Sequence, residues 1–335
     1  MIPQPSAIRR SDWPRPCSER IRMPNLEIKR FTPAVADEWN SFVAASKNGT
    51  FLFDRRYMDY HADRFTDHSL MIYRRGKLYA LLPANVAGDT LFSHQGLTYG
   101  GLIMSDHTTA AEVVEIFKLL NATLREEGFR QVVYKPVPWI YHQQPAEEDL
   151  YAIVEVCDVR LTRSLSSTIS WEHPNTWYRI RQGGARKAQQ AGVIIEETKD
   201  FQPFWQILTD NLQARYGLKP VHTLEEIKLL HQRFPQQIRL WVAKEDGVTI
   251  GGTVLYVTDR VVHAQYIAAS PRGREIHALD LLFQVVIRQA LEQHPYFDFG
   301  ISTENQGTFL NEGLIYQKEG FGARGICYDW YKWQL

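Results

Sequence analysis

The stretch Ser270-Pro271-Arg272-Gly273-Arg274, where the alternating run HAQYIAAS passes into the amphipathic run EIHALDLLF, has the residue types of an anion site. A helix N-terminus offers unpaired N–H groups and a favourable dipole, a glycine lets the backbone come close, and arginines add formal charge. Arg272, Gly273 and Arg274 are therefore the expected phosphate contacts. A second cationic run, Arg179, Arg181, Arg186 and Lys187, contains Gly183-Gly184, expected to break any helix there and open a loop against substrate. Its plain alternative is a solvated basic helix covering a sheet. Lys318 is a flexible point charge suited to a phosphate or a nucleic-acid backbone, or else a solvated surface lysine. Other chemistries lack a pattern. The 11 histidines show no HExxH or HxH spacing with acidic companions, Cys17, Cys157 and Cys327 form no CxxC, and no G-x-S-x-G occurs. No metal site, disulfide framework or covalent hydrolase is expected.

These residues need elements to position them, and 335 residues suffice for about two domains of roughly 150 residues. With 44% apolar and 23% charged residues the chain can bury a core, which excludes wholesale disorder. Lys plus Arg and Asp plus Glu both number 38, so no global field draws it to nucleic acid or anionic lipid. No apolar run approaches the roughly 20 residues of a membrane span, and no secretory leader pattern opens the chain, so a reducing cytoplasm is expected. Residues 1–24 are proline-rich and read as an irregular tail, with Met23 a candidate start.

From Leu26 a strand and a helix (34–45) open a pattern that recurs. Residues 69–104 give a hairpin run, 108–127 a helix and FRQVVYKP a strand. Residues 238–270 repeat the hairpin run, 274–293 the helix and YFDFGI the strand, offset by about 170 residues. Arg75-Gly76 and Asp246-Gly247 are matching hairpin linkers. This predicts an α+β fold of two tandem domains, 25–165 and 166–335, each a mixed, mostly antiparallel sheet flanked by helices. Ser105-Asp106-His107-Thr108 stands as an acidic helix cap where the first copy would need a phosphate turn, so only the second copy should bind a donor.

The turn at 270–274 together with Tyr316, Lys318, Gly320 and Phe321 (Y-x-K-x-G-F) resembles the GNAT acyltransferase superfamily. Glu275 and His277 depart from that family's glycine-rich phosphate turn. A tandem pair with such a turn resembles the Fem-type (FemABX) transferases and BioF2-like acyltransferases, as do Arg186-Lys187-Ala188 with Gly192-Val193, the YFDFG strand, and Gly313-Leu314 through Phe321-Gly322 with Lys318 at the family lysine.

The resemblance implies transfer of an acyl or aminoacyl group from an activated donor to an acceptor amine in a cleft between domains. The acceptor would be a small molecule or peptide, and the donor acyl-CoA, acyl carrier protein or aminoacyl-tRNA, so tRNA is a possible partner. It implies that the backbone of Ile267 and Ala268 holds the acyl carbonyl, that Tyr316 protonates the leaving group, and that Glu304 is a base. Tyr316 could equally be a core tyrosine and Glu304 a loop carboxylate. The alternative function is a catalytically silent protein that binds a ligand or partner.

Overall fold

The computed structural model describes residues 25–335; the tail expected over 1–24 lies outside the described residues. The first half runs β1 (Leu26–Arg30), α1 (Ala36–Ala45), α2 (Arg55–Met58), β2 (Thr66–Asp67), β3 (Leu70–Arg74), β4 (Lys77–Leu82), β5 (Asn85–Ala87), β6 (Thr90–Phe92), β7 (Ile103–Met104), α3 (Ala110–Glu126), β8 (Gln131–Tyr134), α4 (Glu148–Val156) and β9 (Arg160–Ser170). The second runs α5 (Arg179–Gln190), β10 (Ile194–Thr198), α6 (Gln202–Tyr216), α7 (Leu224–Arg233), β11 (Ile238–Glu245), β12 (Val248–Val257), β13 (Val261–Ala269), α8 (Pro271–Glu275), α9 (Ala278–Leu291), β14 (Tyr296–Ile301), β15 (Thr303–Glu304), β16 (Phe309–Leu310), α10 (Glu312–Glu319) and β17 (Arg324–Gln334).

The two halves repeat one pairing pattern. β10, β11, β12 and β13 pair antiparallel in that order, and β13 then pairs parallel with β14. In the first half β1, β3, β4 and β7 pair antiparallel in the same way, while β6 pairs parallel with β8. The strands equivalent to β11, β12 and β13 are each interrupted there, as β2 with β3, β4 with β5, and β6 with β7. Both hairpin linkers form turns with two left-handed residues, Arg75 (φ 51°) with Gly76 (φ 76°) and Asp246 (φ 50°) with Gly247 (φ 81°), as expected of tight hairpins.

The closing strands are exchanged between halves. β9, from the first half, pairs with β14 of the second through Ser166–Ser170, whereas β17 ends on β8 of the first through Tyr331–Gln334. β9 and β17 pair with each other over Arg324–Lys332, fusing the halves into an eleven-stranded sheet. The boundary expected at 165/166 falls inside β9.

Two helix expectations are corrected. The helix expected over 274–293 is two helices, α8 and α9, because His277 adopts φ 62° and turns the chain between them. In front of α3, Ser105 and Thr108 close a turn on each other and the N-cap is Thr109, not the acidic tetrapeptide.

Aromatic packing joins the halves. The Tyr57 hydroxyl donates to Tyr256 at 3.2 Å, and Phe51 and Phe234 pack against them. Beside them His94, His61, Tyr60 and His222 stack in a column, with centroid spacings of 5.4, 4.2 and 5.2 Å. Burial lowers the pKa of His61 and pulls those of His94 and His222 down to about 3 and about 4. These imidazoles are neutral in the fold but protonate below about 6.5 once unfolded. Stability is full above that pH and is lost on acidification, approaching about 1.4 kcal/mol per pH unit for each group until its folded value is reached. Urea denaturation should therefore show a midpoint that falls steeply from pH 6.5 to pH 4.5, with a shallower slope in His222→Gln; parallel slopes would remove this histidine from the account.

Candidate active site

The second half opens between β13 and β14. β13 pairs with β12 along almost its whole length, but its parallel pairing with β14 covers only Val261–His263 against Tyr296–Asp298. Beyond Asp298 the strands part. Gly300, at φ 77°, turns β14 away, and the pairing skips Gln265, which bulges from β13 and bends it. The free edge of β13 then faces a cavity of about 840 Å³, closed by α6, α8, α9 and α10.

This cavity collects part of the expected set. Ile267, Ala268, Gly273, Arg274, Arg181 and Lys318 line it. Lys318 is not a solvated point charge: it is 5% exposed, and its ammonium donates to the carbonyls of Gly300 and Ile301, both at 2.8 Å. Burial pulls its pKa down to about 8. Arg181 is paired to Asp280 at 2.9 Å and lies over the Phe321 ring. Arg274 donates to Asn211 Oδ1 at 3.0 Å and to the Ala269 carbonyl at 2.7 Å.

The remaining expected residues lie outside the lining. Arg272 turns outward to Glu245 and Glu275, at 2.7 and 3.1 Å. Lys187 donates to the Glu275 carbonyl, and Arg179 is exposed at the start of α5. Arg186 lines a separate open groove with Trp177 and Arg288. Tyr316 is 54% exposed, with its ring against Tyr178, and Glu304 accepts from Asn311 at 2.7 Å. α5 runs unbroken through Gly183-Gly184; a Cβ at Gly184 would lie 1.9 Å from Asp280, so this glycine serves the close approach of α5 to α9.

The phosphate turn is likewise already occupied. The Gly273 N–H donates to Ser270 Oγ at 3.1 Å, and a Cβ there would lie 2.1 Å from the Ile250 carbonyl, so packing on β12 explains the glycine. In the first turn of α9 the Asp280 carboxylate, held by Arg181 and by His277 at 3.2 Å, already sets a negative charge at the helix N-terminus.

Sequence reasoning missed a buried pair beside the split. Asp298 is fully buried and accepts from Ser166 (2.5 Å), Thr168 (2.8 Å) and Tyr328 (2.9 Å), and His263 Nδ1 lies 2.8 Å from it. Burial alone would raise the Asp298 pKa, yet the bond to His263, with those from Ser166 and Thr168, holds it below the usual carboxylate value. Phe297 and Phe299 pack on Phe283 of α9, so alternation turns Asp298 to the opposite face, toward Tyr328 and Tyr141 of the first half. The available signal was a carboxylate inside the apolar run YFDFGI.

Residues 175–306 match the family model described as acetyltransferase (GNAT) domain. Among curated proteins none matches by sequence. Solved structures with the same fold include FemX, with a TM-score of 0.65 at 11% identity over 92% of this chain and 97% of that one. L-PGS from Bacillus licheniformis aligns with a TM-score of 0.58 at 14% identity, covering 90% and 91%. The C-terminal domain of a putative lysylphosphatidylglycerol synthetase from Agrobacterium fabrum aligns with a TM-score of 0.54 at 12% identity, covering 83% and 90%. Residues 175–306 are thus similar to an acetyltransferase (GNAT) domain, within a fold that the chain shares with FemX.

Proposed function

We propose that the second half transfers an acyl or aminoacyl group from an activated donor to an acceptor amine. The observation that carries this reading is the parting of β13 from β14 over a cavity lined by Ile267 and Ala268 on one strand and reached by the buried Lys318 from the other side. An exposed strand edge can hold an ester or thioester in line, and a buried ammonium stabilises an oxyanion more than one in water. The amine lone pair attacks the acyl carbon, a tetrahedral oxyanion forms, and its collapse breaks the bond to the carrier and leaves an amide. Lys318 is the proposed electrostatic partner and proton donor to the leaving group.

The proposed base is His263, with Asp298 orienting its ring. It lies on the face toward the first half, where the acceptor is proposed to enter. Tyr316, exposed against Tyr178, and Glu304, engaged by Asn311, are given no part in the chemistry. The reading covers three carriers, coenzyme A, acyl carrier protein and tRNA, and Asp280 in the first turn of α9 disfavours a pyrophosphate there. Among the described residues no helix is long and apolar enough to cross a membrane, and no three His, Cys, Asp or Glu side chains gather as a metal site. Cys157 and Cys327 are free thiols, compatible with the proposed cytoplasmic location. A silent ligand-binding protein would have no use for a lysine buried at the cavity wall and held by backbone carbonyls alone.

Donor turnover in the presence of an amine mixture, followed as thiol release or tRNA deacylation, tests the reading. Lys318→Met should lower kcat/KM at least about a hundredfold. In the unmodified protein activity should fall as pH rises through about 8, because the ammonium form is then lost; an unchanged Lys318→Met would remove the lysine from the chemistry. His263→Gln should cost roughly 10²–10⁴-fold in kcat. Tyr316→Phe should stay within about threefold of the unmodified enzyme, and a larger loss in kcat alone would restore its role as the acid.

A further inference from the structure

The charges around the cavity are unevenly matched. Arg181, Arg215, Arg274 and Lys318 line it against the single carboxylate of Asp280, which Arg181 and His277 already hold. An α-ammonium on the transferred group would enter a cationic site with no free counter-ion, and burying such a charge unpaired is costly. A neutral acyl group meets no such penalty.

The rest of the wall is apolar. At the closed end of the split Phe283, Phe299 and Phe321 touch one another, with ring centroids 5.0 to 5.5 Å apart. Phe283 and Phe321 are each 1% exposed. Leu208 and Leu212 of α6 and Ile267 of β13 line the same cavity. Its volume of about 840 Å³ lies high in the range of roughly 300–1,000 Å³ for small-molecule sites, and an acetyl group would fill little of it. The three cations nearest this wall are turned to protein oxygens: Arg181 to Asp280, Arg274 to Asn211, and Lys318 to two carbonyls.

We infer that the transferred group is a neutral aliphatic acyl chain, well longer than acetyl and carried as a thioester, which lies between Leu212 and Ile267. The inference rests on the transfer reading above and narrows its substrate. In the step it describes, the C–N bond of an amide forms and the C–S bond of the donor breaks. The amine loses one proton and the carrier leaves as a free thiol holding one, so no oxidant or co-reactant is needed.

Acyl thioesters of N-acetylcysteamine test the chain without any phosphate-bearing carrier. Calorimetric titration of the full-length protein with the acetyl, hexanoyl and decanoyl compounds should show affinity rising about fourfold per added methylene until the cavity is full. Leu212→Trp, which narrows the cavity, should weaken the decanoyl compound at least about tenfold more than the acetyl compound. Should that variant not fold, the chain series on the unmodified protein decides alone. Affinity that is flat from acetyl to decanoyl overturns the long-chain inference, with acyl transfer left standing. If no thioester binds but aminoacyl-tRNA is turned over with an amine, the chain inference falls and transfer again survives. If neither donor type binds or reacts, both readings fall together.

Discussion

A single buried carboxylate holds the junction on which the site depends. Asp298 receives hydrogen bonds from β9 and β17 and faces His263 of β13, so four strands are fixed to one side chain at the residue where β13 and β14 stop pairing. An unpaired carboxylate in a dry interior costs several kcal/mol, and deleting one partner of a buried pair typically costs about 3–5 kcal/mol. The partners must therefore stay in register. The parting of the strands begins at a point set by chemistry, and the backbone beyond it is free to diverge without unravelling the sheet.

The exchange of β9 and β17 turns that local constraint into a global one. Ser166 and Thr168 reach Asp298 from a strand that begins in the first half, and Tyr328 reaches it from a strand that ends there. Tyr141 of the first half extends the network by its bond to Tyr328 at 3.0 Å. The first half thus builds the second half's site without supplying a second copy of it. In its own split, between β7 and β8, the Tyr134 hydroxyl accepts from the Leu102 N–H at 2.6 Å and donates to Asp149 at 2.5 Å, filling the equivalent space with a side chain. Burial raises both the Tyr134 phenol and the Asp149 carboxyl, the latter to about 7, as befits a plug sealed from water.

What was legible in the sequence was whatever local rules determine. Gly76 and Gly247 announce their turns because glycine takes the left-handed conformation without steric cost, and Asp246 suits the position before it. The α+β class and the duplicated order of strands and helices followed from periodicity, and Ile267, Ala268, Gly273, Arg274 and Lys318 do meet at one cavity. The strand exchange was not legible, because nothing local tells β9 that its partner is β14 rather than its own half's β8. The roles of glycines were misread for the same reason. Gly184 and Gly273 look like loop or phosphate glycines in isolation, yet each is small because a distant group, Asp280 or the Ile250 carbonyl, occupies the space of its Cβ. The status of Lys318 depended on burial, which no sequence neighbour reveals.

The same close packing explains the chemistry at the start of α9. A helix N-terminus wants an anion, and here the chain supplies its own: Asp280 in the first turn, neutralised by Arg181 from α5 and oriented by His277. His277 can do this because it takes the left-handed conformation that a glycine would otherwise hold at the break between α8 and α9. Gly184 completes the arrangement, since any larger residue would push α5 away from Asp280. With a carboxylate already in its first turn, the N-terminus gains less from a ligand phosphate. Under the proposed transfer, recognition of a donor would draw on the strand edge and the apolar walls, whose attraction depends on area rather than charge. Affinity at this site would consequently be far less sensitive to salt than at a phosphate-gripping turn, because screening weakens charge pairs and leaves hydrophobic contact intact.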